Sequence, residues 1–159
     1  MISPNGPTGR LMMAMTALLA LWTAATPARA AGTVALKGTV VSNCGVQVDD
    51  LDANLNMTGG STNLQVATVG EKCNSNRGYT VTISSANAGA LVNRDGARAA
   101  YTASYGGLSN QSLANPIVLT RTKAERNWTY APFTVTLPAN AQRVAGTYFD
   151  TITITVAAR

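Results

Sequence analysis

The sequence predicts an all-β sandwich, and three observations point there. Apolar residues recur with a period of two in several separate stretches, clusters of turn residues divide those stretches at short intervals, and no run sustains the period of a helix. The clearest stretch closes the 159-residue sequence. Tyr148, Ile152, Ile154 and Val156 share one parity while Thr147, Thr151, Thr153 and Thr155 take the other, the pattern of a strand with one buried and one wetted face. Threonines and β-branched aliphatics favour extended backbone, and Gly146 loosens the entry. A long strand with an apolar face and an uncovered edge is an aggregation hazard unless something pairs with it.

In chain order, residues 1–30 read as a secretory signal. Arg10 supplies a positive start, Leu11 to Ala25 an apolar run, and Ala28-Arg29-Ala30 a small-x-small cleavage site. A membrane anchor is the alternative, but the run is shorter than the ~20 residues a spanning helix needs, so no stable membrane insertion is expected after cleavage. The remaining 31–159 suits one domain with one core.

The mature part opens on a second alternating segment, in which Val34, Leu36, Gly38 and Val40 share a face opposite Thr33, Ala35, Lys37 and Thr39. It reads as a half-buried strand, interrupted by a glycine where a neighbour can approach closely. Asp49 to Thr62 is rich in Asp, Asn, Gly, Ser and Thr and reads as a loop with room for one short strand. From Leu64 the apolar parity is even until Val69 breaks it, a sign of a bulge or a strand end. Asn74 to Gly78 turns the chain into a clean strand with Tyr79, Val81 and Ile83 on one face. Asn93-Arg94-Asp95-Gly96 is a tight-turn signal, and Leu91-Val92 with Tyr101, Ala103 and Tyr105 fit a hairpin around it, whose second arm Gly106-Gly107 closes. Pro116 to Thr120 is a short strand. Tyr130 to Leu137 is another, its Pro132 suiting an edge or a bulge because proline donates nothing to a ladder. Pro138 to Gln142 turns into the final strand.

Composition narrows the chemistry. Setting aside Arg10 and Arg29, ten basic residues face seven acidic ones, scattered without the dense stripe that nucleic acid requires, so no nucleic-acid partner is expected. There is no histidine, which removes Ser-His and Cys-His nucleophiles. The only cysteines, Cys44 and Cys73, are expected to bond to each other in an oxidising compartment, closing a loop of about thirty residues that is worth roughly 3–4 kcal/mol in the chain-entropy view. A metal site is the rival use, but two thiols do not complete a tetrahedral shell. Asp49, Asp50 and Asp52 form the one acidic cluster, a solvated turn or, alternatively, a calcium loop. Trp128, beside Arg126 and Tyr130, reads as a core residue, with a surface sugar-binding patch as the alternative. No enzymatic activity and no cofactor are expected.

The segment Gly32 to Cys44 resembles the part of chaperone/usher pilus subunits where an alternating extension with an internal glycine runs into the first cysteine. The tract from Cys73 to Ser84 and the closing Gly146 to Val156 are most similar to the spore coat protein U group, which includes the archaic pilins. The resemblance implies an incomplete immunoglobulin-like β-sandwich completed by a donor strand. It implies residues 1–30 as signal, 31–43 as donor-strand extension carrying Val34, Leu36, Gly38 and Val40, and 44–159 as the pilin-like domain. Gly146, Tyr148, Ile152, Ile154 and Val156 would then line the acceptor groove. The implied partners are a periplasmic pilus chaperone, an outer-membrane usher and neighbouring pilus subunits, with a passage through the periplasm to a pilus on the cell surface. A self-complete secreted sandwich binding a carbohydrate or protein ligand is the competing reading.

Overall fold

A computed structural model describes residues 31–159; the signal segment lies outside the described residues. The chain divides into two compact units, Met1–Gly38 and Thr39–Arg159. Of the first, residues 31–38 carry no regular secondary structure, and Val34 and Leu36 are 85% and 92% exposed. The strand expected over residues 32–44 is therefore absent: among the described residues no strand begins before Cys44. An alternating sequence becomes a strand only when a second edge takes up its backbone N–H and C=O groups.

The second unit is all β, with no helix among the described residues. One sheet has five strands in the order β1 (Cys44–Asp50), β2 (Ser61–Cys73), β9 (Glu125–Leu137), β6 (Thr102–Tyr105) and β7 (Leu108–Ser112). The second has three, β10 (Ile152–Ala158), β3 (Tyr79–Ser85) and β8 (Ile117–Arg121), and a separate ribbon pairs β4 (Ala90–Val92) with β5 (Arg98–Ala100). Both sheets are open, and the fold is an incomplete immunoglobulin-like sandwich. Its core joins Val69, Phe133, Val135 and Leu137 of the first sheet to Tyr79, Val81 and Ile83 of the second, all buried. Burying each such side chain contributes about 1.5–3 kcal/mol before the entropy of ordering it.

The parity read from Tyr79, Val81 and Ile83 is realised in β3, which alternates buried and half-buried residues. Gly78 feeds it at φ 79°, where a Cβ would lie 1.9 Å from the Arg121 carbonyl oxygen, so only glycine fits. In β2 the register shifts between Gln65 and Ala67, which carries the inward face from Leu64 and Val66 to Ala67 and Val69; this is the bulge that the broken parity announces. Pro132 lies where β9 has only β2 beside it, since β6 reaches no further than Thr134 to Thr136.

Three expectations are corrected. The arm facing Leu91-Val92 is Arg98–Ala100, because Asn93 accepts from the backbone of Asp95 and Ala97 and turns the chain early; Ala103 and Tyr105 then belong to β6 in the large sheet. The final strand starts at Ile152 rather than Gly146, after Phe149 makes an isolated bridge to Val92. Trp128 is no core residue: it is 37% exposed and stacks on Tyr130 at 6.3 Å, with Lys72 Nζ 4.6 Å from its ring. The two rings cover Gly45 and Gly70 of the neighbouring strands, where a Cβ at Gly70 would sit 2.6 Å from Tyr130. Aromatic side chains there supply the cross-strand packing that glycine lacks.

The two sheets are tied at one end by an ion pair whose carboxylate is buried and whose guanidinium is partly so. Glu71 of β2 accepts from Arg121 of β8, Nη2 at 2.7 Å and Nε at 3.1 Å, and from the Tyr105 hydroxyl at 3.3 Å, while Arg121 Nη1 donates to Gly106 O at 3.0 Å. Burial, and then the Glu71 charge, push the Tyr79 phenol up to about 12 and raise Tyr105 as well. Beside this pair, Cys44 and Cys73 are bonded, S–S 2.03 Å, across directly opposed positions of β1 and β2.

Replacing one partner of the ion pair, as in Arg121→Met, should cost about 3–5 kcal/mol because it strands the Glu71 charge, whereas Glu71→Leu with Arg121→Met should cost much less. Urea unfolding of the single and double variants measures the difference. The tyrosines set an alkaline limit. In the unfolded chain they ionise near the ordinary value of about 10, while in the fold Tyr79 and Tyr105 hold their protons to higher pH. Their contribution is thus complete below about pH 10 and is lost as pH rises through the folded values. Urea midpoints should fall over that window, in step with late-appearing tyrosinate absorbance; a flat profile would count against the buried network.

Candidate cleft between two open sheet edges

Strand β10 is hydrogen-bonded only to β3, and β1 only to β2, so each presents a free edge. The two strands lie side by side with Cα atoms within 8 Å, yet no ladder joins them. They run in opposite directions. Cys44 opposes Cys73, shortly before Tyr79, and Tyr79 opposes Ala158, which puts the start of β1 at the end of the sandwich where β10 finishes.

Between these edges opens a cleft of about 420 Å³. Phe133 and Val135 of β9 and Val66 and Ala67 of β2 are its floor, with Val48 of β1 on one wall and Ile152 and Ile154 of β10 on the other. The alternation along β10 explains the wall: even positions are half-buried against the core while Thr153 and Thr155 face solvent. Val48 is 51% exposed for want of a neighbour on its far side.

One end of the cleft is acidic. Asp50, Asp52 and Asp150 line it, and no lysine or arginine does. Asp150 is fully engaged: Oδ2 accepts from Ser85 Oγ and the Tyr101 hydroxyl, both at 2.6 Å, and Oδ1 from the backbone N–H of Asn87 and Thr151. It thereby fixes where β10 starts against β3. Burial, and then the hydrogen bond to Asp150, hold the Tyr101 phenol well above its ordinary range. Asp50 accepts only the N–H of Asp52, at 3.0 Å, in an Asx-type turn that puts Asp52 at φ 48°.

Of the residues singled out in the sequence, Ile152 and Ile154 line the cleft, and Val156 continues their face against the core. Tyr148 packs on the core ahead of the strand, its hydroxyl donating to Val144 O at 2.8 Å, while Gly146 lies in the preceding turn beside Asn93. In the extension, Val40 is 87% exposed, and a Cβ at Gly38 would meet nothing within 4 Å. The extension is rooted by Asn74, whose Oδ1 accepts from Asn43 N and whose Nδ2 donates to Val41 O. Sequence reasoning missed the whole opposite wall. Val46, Val48 and Asp50 do alternate, but the acidic composition after Asp49 masked the strand's end.

No family model matches the chain, and no curated protein does. Similar solved structures include HdaB, the minor tip subunit of the E. coli Hda pilus, at 12% identity over 70% of this chain and 79% of that chain, with a TM-score of 0.38. Self-complemented MyfA, the major subunit of Myf fimbriae from Yersinia enterocolitica, is similar at 12% identity both in complex with galactose and without it. Each covers 72% of this chain, over 99% and 97% of its own length, with a TM-score of 0.41.

Proposed function

We propose that this chain is a structural subunit of a chaperone/usher-assembled surface pilus and polymerises by donor-strand exchange. The observation that carries the reading is the pair of free edges on β1 and β10 flanking an apolar cleft, in a chain that also contains an exposed alternating segment without a strand partner of its own. In this reading residues 31–43 are the donor and 44–159 the receiving domain, with 1–30 removed on export. A periplasmic chaperone first lends a strand to the cleft; at the outer-membrane usher Val34, Leu36, Gly38 and Val40 of a neighbouring subunit take its place. Burying three aliphatic side chains contributes roughly 5–9 kcal/mol gross, less the entropy of ordering the extension. Main-chain hydrogen bonds to a free edge add direction and register, so assembly needs no nucleotide.

A self-complete secreted module is the second reading. The exposed Trp128 and Tyr130 pair favours it, as a flat aromatic surface suits a sugar ring.

Two experiments separate the readings. Ile154→Asp puts a charge on the cleft wall that chaperone and partner must both cover, so it should sharply lower the exported subunit, whereas Thr153→Asp on the wetted face should be mild. Immunoblots of periplasmic protein decide this; equal tolerance of both would mean the cleft has no occupant. Deleting residues 31–41 should leave a domain that binds chaperone and folds but cannot plug its neighbour, and Gly38→Leu should act similarly through a clash with the pocket. Chaperone co-purification beside a heat-resistant ladder of oligomers reads both properties. Loss of fold on deletion would instead mark the segment as an internal strand of a self-complete sandwich.

A further inference from the structure

The ladder between β1 and β2 closes at the directly opposed Cys44 and Cys73, where the chain leaves β2 for the turn that feeds β3. The pairing continues one step past the strands, carried by a single residue. Asn74 donates its backbone N–H to Asn43 O at 3.1 Å, as the next rung of an antiparallel ladder would. Its side-chain amide makes the remaining bonds: Oδ1 accepts from Asn43 N at 2.6 Å, and Nδ2 donates to Val41 O at 3.1 Å. A carboxamide carries the same N–H donor and carbonyl acceptor as a peptide group, so it can stand in for one. Residues 41–43 are thereby held on the β2 side of the chain, while the cleft opens along the opposite, free edge of β1.

Which side these residues keep to decides between two fates for the extension. Ser42 and Asn43 are turn-forming residues placed just ahead of an edge strand. A hairpin through residues 41–43 would lay the preceding residues back along the free edge of β1, in the chain's own cleft. Such an insertion is intramolecular, with an effective concentration on the order of millimolar, and outcompetes a more dilute second copy unless something opposes it. The hydrogen bonds to Asn74 oppose it, because a turn there takes the Asn43 N–H and both carbonyls away from their partner. We infer that Asn74 is a positioning residue, which holds residues 41–43 away from the chain's own cleft and so reserves the extension for a second copy. The inference rests on the donor-strand reading and adds to it the device that favours polymerisation over self-closure.

The test dilutes the purified exported chain from urea at a series of concentrations and measures monomer and heat-resistant oligomer by size exclusion and gel. Tryptic cleavage at Lys37 reports whether the extension of the monomer is inserted. Wild type should form oligomers, and its remaining monomer should be cut at Lys37. Asn74→Ala removes both side-chain bonds and should shift the monomer-to-oligomer ratio about twentyfold toward monomer, roughly fivefold per bond, with Lys37 now protected. Asn74→Asp keeps the acceptor for Asn43 N and loses the donor to Val41 O, so its shift should be about fivefold; it reads the same partition should the alanine variant not fold. Lost stability alone would lower monomer and oligomer together and leave Lys37 open to cleavage. An unchanged ratio with Lys37 open, in every variant that folds, overturns the role of Asn74 and leaves donor-strand exchange standing. A wild-type chain that forms no oligomers, or whose monomer already protects Lys37, overturns exchange between copies and the inference with it.

Discussion

A β-strand satisfies its backbone only through its neighbours, and in this domain two apolar strands have one neighbour each. β1 ends the large sheet and β10 ends the small one, and they face each other across a gap that neither fills. The other two sheet ends are different. β7 is short and polar, with Ser109, Asn110, Gln111 and Ser112 exposed, and β8 ends the small sheet in Arg121, which is turned inward to Glu71. β7 is an edge of the kind that discourages pairing, whereas β10, apolar on alternate positions, is of the kind that invites it.

Because no ladder connects the sheets, their spacing has to be held by side chains. At one end the Glu71 and Arg121 pair and the Cys44 to Cys73 bond bind β2 to β8 and β1 to β2. At the other end Asp150 gathers donors from β3, from the segment after it and from Tyr101. The cleft lies between these fixed ends with its apolar residues already in place. An incoming strand would meet these apolar residues already in place, but with Cα atoms of β1 and β10 within 8 Å it would have to part the two edges to pair with both, since neighbouring strands lie about 4.8 Å apart.

The strands with strict parity were legible in the sequence. Tyr79, Val81 and Ile83 point inward as their spacing requires, and the Ile152, Ile154 and Val156 face is half-buried where the threonines are wet. What the sequence hid was pairing at a distance. Nothing in Leu91-Val92 distinguishes Arg98–Ala100 from Tyr101 to Tyr105 as its partner; the choice is made by Asn93 capturing two backbone donors. Trp128 looked like core because tryptophan so often is, and only the opposition of β9 with two glycines across neighbouring strands draws it to the outer face. The cleft itself was half legible: its β10 wall is periodic, while the β1 wall runs into an aspartate-rich turn that reads as a loop.

Asn74 has a mechanical consequence. It holds residues 41–43 by hydrogen bonds through its amide side chain and a further one from its own N–H to Asn43 O, one residue beyond Cys73. Tension applied along residues 31–40 thus arrives first at this anchorage and next at the covalent link between Cys44 and Cys73. The load passes into the end of β2, where Cys73 faces Glu125 at the limit of the domain's long ladder with β9, as well as into β1. A chain of such domains joined through their extensions would be strongest along the line in which it is pulled.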